Sequence, residues 1–95
     1  IDRCTVSNQG SFHLGFYYLQ HKQPQEAEPY LRRAVQQDPS DDLARRIYAH
    51  CLEKLGRLTE AAGHWRVILR HNPTDGAARL NLGRLEKLMK EGQDR

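Results

Sequence analysis

The chain has 95 residues, 38% of them hydrophobic and 28% charged, with a formal net charge of +3. That suffices for one compact unit with a modest core and is too apolar for an intrinsically disordered segment. No apolar run approaches the length that crosses a bilayer, and residues 1–7 lack the apolar stretch of a secretory signal.

Five helical segments follow in chain order. The first covers about Asn8 to His21, with Leu14, Tyr17 and Tyr18 at helical spacing. The second covers about Gln25 to Gln37 and carries Pro29, which costs little in a first turn and would kink a helix that began earlier. The third, about Asp42 to Leu55, places Ile47, Tyr48, Cys51, Leu52 and Leu55 on an apolar face and is closed by Gly56. The fourth covers about Thr59 to His71. The fifth, about Gly76 to Lys90, carries Leu80, Leu82, Leu85, Leu88 and Met89. Pro39 and Pro73 end the helices before them, and Ser40 or Asp41, and Thr74 or Asp75, offer capping oxygens to the helices after them. Connections this short make consecutive helices antiparallel neighbours. No strand alternation of useful length occurs, so the fold class is all-α.

The chain matches itself at a spacing of 34 residues. Asp38-Pro39-Ser40-Asp41 recurs as Asn72-Pro73-Thr74-Asp75, and Ala27, Leu31 and Val35 answer to Ala61, Trp65 and Leu69. Glu26 answers to Glu60, Leu14 to Tyr48, and Leu82-Gly83 opens a third register. Such a period means stacked units, none able to bury its apolar face alone.

These residues resemble the tetratricopeptide repeat, a helix–turn–helix unit of about 34 residues. The first repeat, 8–41, carries Leu14, Gly15, Tyr18, Ala27, Leu31, Ala34 and Pro39 of its pattern. The second, 42–75, carries Tyr48, Ala49, Leu52, Ala61, Trp65, Ile68 and Pro73. Small residues at Gly15 and Ala27, and at Ala49 and Ala61, let paired helices approach. The pattern's leading Trp is replaced by Ser11, Arg45 and Arg79. The resemblance implies an α-solenoid of antiparallel helix pairs, about two and a half repeats long. Residues 76–90 form a capping helix or partial third repeat, 91–95 a tail, and 1–7 an N-terminal segment that could be the remnant of a preceding helix. The start at Ile1 instead of Met points to a fragment or processed form; the compartment stays unknown, with a soluble, cytoplasmic setting expected.

The resemblance also implies a concave surface, lined by the first helix of each repeat, that receives peptide from a partner protein. Leu14, Gly15 and Tyr18 are expected to face the paired helix. The groove stripe is then Gln9, Phe12, Phe16 and Leu19; Leu43, Arg46, His50, Glu53 and Lys54; and Ala77, Leu80, Asn81, Arg84 and Lys87. Phe12, Phe16, Leu19, Arg46, His50, Arg84 and Lys87 are the candidate binding residues, for a partner with an apolar anchor and acidic groups. Phe12 and Phe16 could equally pack on a neighbour, and the cations could be an ordinary solvated face. His13, His21, His64 and His71 read as surface or helix-end residues. A two-carboxylate clamp of the chaperone-binding kind would fall on Phe12, Phe16, Ile47, Ala77 and Asn81, which lack its lysines and arginine.

No catalytic constellation, phosphate loop or metal-ligand spacing is present, so neither enzyme activity, cofactor nor metal is expected. Cys4 and Cys51 read as inert thiols. Two alternatives stand beside peptide binding. One is self-association through exposed repeat ends, as an assembly segment of a longer repeat protein. The other, ranked last, is a weak nucleic-acid surface of Arg45, Arg46, Arg79, Arg84 and Lys87, which lacks interleaved aromatics.

Overall fold

The computed structural model describes residues 3–93, with side chains described for residues 10–91. Among them lie five α-helices and no strand: α1 Arg3–Gln20, α2 Pro24–Gln37, α3 Asp42–Lys54, α4 Leu58–His71 and α5 Gly76–Gln93. Each helix packs on its chain neighbours, and α1 also touches α3. This is the expected all-α, tetratricopeptide-like stack of antiparallel pairs, α1 with α2 and α3 with α4, followed by α5. Two helices run longer than their apolar pattern. α1 begins at Arg3 instead of Asn8, since neither proline nor glycine interrupts residues 3–9. α5 runs on to Gln93.

The turns repeat in atomic detail. Asp38 and Asn72, each before a proline, leave the helical region with φ −141° and −142°. Ser40 Oγ donates to Asp38 Oδ1 at 2.7 Å, and Thr74 Oγ1 to Asn72 Oδ1 at 3.0 Å. The cap itself is the next residue: Asp41 Oδ1 accepts from the amides of Leu43 and Ala44, and Asp75 Oδ1 from that of Ala78. Such caps each stabilise by about 1 kcal/mol. Arg45 and Arg79, where the family pattern has Trp, each donate through Nη2 to the proline carbonyl six residues back, at 2.7 and 3.0 Å. An arginine there closes the turn over its own carbonyl.

The other end of each pair is also built twice. The amide of Arg57 donates to Leu52 O and that of Gly56 to Glu53 O, while Gly56 has φ +81°. This is a Schellman closure. In the first repeat Gln23 donates to Tyr18 O and Lys22 to Leu19 O, with Lys22 at φ +61°. A lysine thus holds the left-handed position that glycine holds in the second repeat, at a steric cost glycine avoids. α2 starts with Pro24 as its first residue, so Pro29 is the sixth and the bond its missing N–H would have made to Gln25 O is absent.

The core runs along the interior of the stack. Leu31, Leu52, Trp65, Ile68 and Leu85 are fully buried, joined by Ala27, Ala49 and Ala61. At Gly15 the approach is closest: a Cβ there would lie 2.5 Å from Leu31 Cγ and 3.2 Å from its amide nitrogen. Gly83, 68 residues later in the same register, has nothing within 4 Å of that point. No second helix packs on α5 among the described residues. Leu14 departs from expectation. It does not face the paired helix but is exposed, as is its neighbour Tyr17 on that side of α1. Its counterpart Tyr48 is buried because α2 covers it; no described helix plays that part for α1.

The two units are joined by a buried polar node. Tyr48 donates its hydroxyl to Glu28 Oε2 at 2.8 Å, and Arg32 and Arg57 approach the same oxygen at 3.7 and 3.6 Å. Burial, then the bond to Glu28, raises the Tyr48 hydroxyl pKa. Cys51 is fully buried, its Sγ donating to Pro24 O at 3.2 Å; burial pushes its thiol up to about 11. Cys4 lies outside the residues with described side chains. His64 corrects the surface reading: it is half-buried, with its ring edge-on to Tyr48 at 4.9 Å. Arg45 Nη1 lies 3.1 Å from His64 Nδ1. A guanidinium only donates, so Nδ1 accepts and the neutral ring carries its proton on Nε2. Burial first, and Arg45 second, lower the His64 pKa.

Three outcomes are expected. Gly15→Ala destabilises by about 1–3 kcal/mol because buried Leu31 cannot retreat, whereas Gly83→Ala stabilises by up to about 1 kcal/mol; urea unfolding measures both. Lys22→Gly raises stability by about 0.5–1 kcal/mol, the relief of left-handed strain being partly offset by a more disordered unfolded chain. Protonation of His64 favours the unfolded chain, since the folded pKa lies below the unfolded value. Its contribution to stability is full above about pH 6.5 and is lost as pH falls through that value toward the folded pKa. His64→Gln should flatten the dependence of the urea midpoint on pH between about 5 and 7.

Candidate functional site

The stripe expected to line a groove sits on the first helix of each pair. On α1, Phe12 and Phe16 stack with ring planes 3° apart and centroids 6.1 Å apart. Phe12 and Leu19 are half-buried against the core, and Phe16 is the more exposed. Phe12 therefore serves packing as well as any surface role. Leu43 on α3 and Leu80 on α5 are 58% and 77% exposed.

A polar cluster occupies α3, α4 and α5. Its floor is Trp65, fully buried on α4. His50 stands edge-on to that ring at 5.2 Å, and the guanidinium carbon of Arg46 lies 5.8 Å from its centroid. The indole N–H donates to Glu53 Oε2 at 3.0 Å. Glu53 Oε1 in turn accepts from Arg84 Nη2 at 2.6 Å, and Arg84 Nη2 also donates to Asn81 Oδ1 at 2.9 Å. Arg46 Nη2 donates to Asp75 Oδ2 at 2.6 Å, with Nη1 3.5 Å from Oδ1. Asp75 thus caps α5 and holds Arg46 together, and those bonds keep its carboxyl below the usual range. Burial lowers the His50 pKa, against an opposing pull from Glu53, so the ring is neutral at pH 7.

Of the seven candidate residues, the structure draws Arg46, His50 and Arg84 into one cluster around Trp65 and Glu53. Phe12 and Phe16 form a separate aromatic pair, with Leu19 one turn on. Lys87 and its stripe neighbour Lys54 are exposed and make no ion pair among the described residues. Two partners escaped the sequence reading: Trp65 as the floor and Asp75 as the counter-ion. Both meet the stripe from elements distant in sequence, 19 and 29 residues from Arg46, and no local pattern announces that. At the clamp positions, Asn81 Nδ2 bonds back to Ala77 O at 2.8 Å, and Ile47 packs against the core.

Two shallow concavities lie elsewhere, one at Lys22–Glu26 with Lys54 and Leu55, the other along α2 from Glu26 to Gln36. Neither gathers a reactive constellation. No group of three His, Cys, Asp or Glu among the described residues could hold a metal ion, and no described helix is long and apolar enough to cross a membrane.

Residues 18–64 match the family described as tetratricopeptide repeat. No curated protein matches the chain. The matched stretch holds Ala27, Leu31, Ala34, Pro39, Tyr48, Ala49, Leu52 and Ala61, the residues that make the helix pairs fit. Such repeats generally serve as non-catalytic modules of protein–protein interaction. With the repeated turns, the stacked pairs and this match in agreement, the chain belongs to the tetratricopeptide repeat family.

Proposed function

We propose that the chain is a non-catalytic scaffold that binds a segment of a partner protein across the surface of α1, α3 and α5. One observation carries this reading. All six exposed large hydrophobic residues among those described, Leu14, Phe16, Tyr17, Leu43, Leu80 and Leu88, lie on these three helices, and none lies on α2 or α4. Phe16, Leu43 and Leu80 share the groove stripe. Large apolar side chains kept in water on a preformed face supply binding energy with little ordering cost. Phe12 stacks on Phe16, Leu19 follows one turn on, and Arg46, His50, Arg84 and Lys87 fall on the same expected stripe.

The expected outcome for a Phe16→Ala, Leu80→Ala double variant is unchanged helicity with loss of partner capture. Truncating such anchors typically weakens binding by about tenfold or more each. The check is a pull-down from nuclease-treated source lysate, quantified against wild type at matched circular dichroism. Equal recovery of every protein by both chains would sink the groove reading.

A second reading has its own support. Leu14 and Tyr17 are exposed at the register of Tyr48 and Cys51, which are buried under α2. That side of α1 has the form of a stacking face, so self-association through repeat ends remains the alternative. A mass that rises with concentration, and returns to monomer in Leu14→Ser, Tyr17→Ser, would favour it.

A further inference from the structure

Resting on the groove reading, we infer that the site takes an apolar segment of its partner and is blind to acidic residues along its middle, because its arginines are occupied by its own carboxylates. The charges cancel in pairs. Arg46 is held by Asp75 at 2.6 Å and Arg84 by Glu53 at 2.6 Å. Both carboxylates are only 13% exposed. An incoming carboxylate would meet guanidiniums whose charge is already balanced, and drawing either one away would leave Asp75 or Glu53 largely buried without its partner, a loss that offsets the new bond. Glu53 is doubly committed, since its other oxygen accepts from the Trp65 indole. Asp75 is likewise committed, since it caps α5.

What remains for recognition is apolar. Phe16, Leu43 and Leu80 are exposed on the three successive first helices, Leu43 one turn before Arg46 and Leu80 one turn before Arg84. The other two cations of the stripe, Lys54 and Lys87, make no ion pair among the described residues and stand in the C-terminal halves of α3 and α5, away from Leu43 and Leu80 near the starts of those helices. Complementarity to such a surface asks for leucine-, isoleucine- or phenylalanine-type side chains. It asks for no run of acidic residues, and a charge-poor contact responds little to salt.

The test selects a displayed library of random twelve-residue peptides on three chains: wild type, Glu53→Gln with Asp75→Asn, and Phe16→Ala with Leu80→Ala. The amide variants keep an oxygen for the indole and for the α5 cap while releasing both arginines. Wild type is expected to enrich apolar sequences without acidic excess. Synthetic copies should change their Kd by less than about threefold between 50 and 500 mM NaCl. The amide variant should enrich Asp and Glu, and its peptides should weaken by about tenfold or more over that range. Acid-rich selection by wild type with steep salt loss overturns this inference and leaves the groove reading standing. Identical selection by wild type and the amide variant also overturns it, because the internal pairs would then not be what silences the arginines. Should the amide variant lose helicity, the composition and salt response of the wild-type peptides decide alone. No enrichment, or enrichment that survives Phe16→Ala with Leu80→Ala, overturns both readings.

Discussion

The distance between α1 and α2 is set by a large side chain pressed onto a bare backbone. Leu31 fills the space where Gly15 has no Cβ, and any side chain at Gly15 would meet it well inside van der Waals contact. One period later Trp65 and Ala49, the same pair of positions, are both fully buried. The larger aromatic is matched there by alanine instead of glycine. Close packing of this kind tolerates little change in volume and holds each pair as a rigid unit.

Between units the joints are polar as well as apolar. Glu28 of α2 takes the Tyr48 hydroxyl from α3, and Arg57 comes to it from the turn before α4. On the other side, Asp75 and Glu53 tie α3 to the start and middle of α5 through Arg46 and Arg84. A buried ion pair adds little net stability against an apolar substitute, but breaking one partner is costly. These bonds therefore specify how successive helices sit more than they strengthen the stack. They also balance the charges of Arg46 and Arg84 within the stack, so the net charge of +3 does not measure the free charge on that face.

The turns show how far one-dimensional information reaches. Pro39 and Pro73 marked both turns, and Gly56 marked the end of α3, because each acts on its own backbone. The choice of Asp41 over Ser40 as cap was left open by residue type, since both side chains can accept; the geometry selects Asp41 and gives Ser40 to Asp38. Lys22 at positive φ carried no signal, because lysine is a poor choice there and only the repeat register exposes its equivalence to Gly56. Leu14 was misplaced for a related reason: helical spacing assigns a residue to a face but does not say whether anything lies against that face.

Periodicity, prolines and the alternation of small and large residues by themselves determined the all-α class, the helix order and the 34-residue repeat, since each of these is a local or register property of the chain. Together with the family resemblance they also put Phe12, Phe16, Leu19, Arg46, His50, Arg84 and Lys87 on one expected stripe, because a helix converts spacing into direction. Tertiary structure alone decided which of those side chains remain available. Arg46 meets Asp75, Arg84 meets Glu53, and Trp65 rises beneath His50 only when α3, α4 and α5 are packed together. Pairing between charges about 30 residues apart depends on the positions of three helices in space, and no spacing within a single helix encodes it.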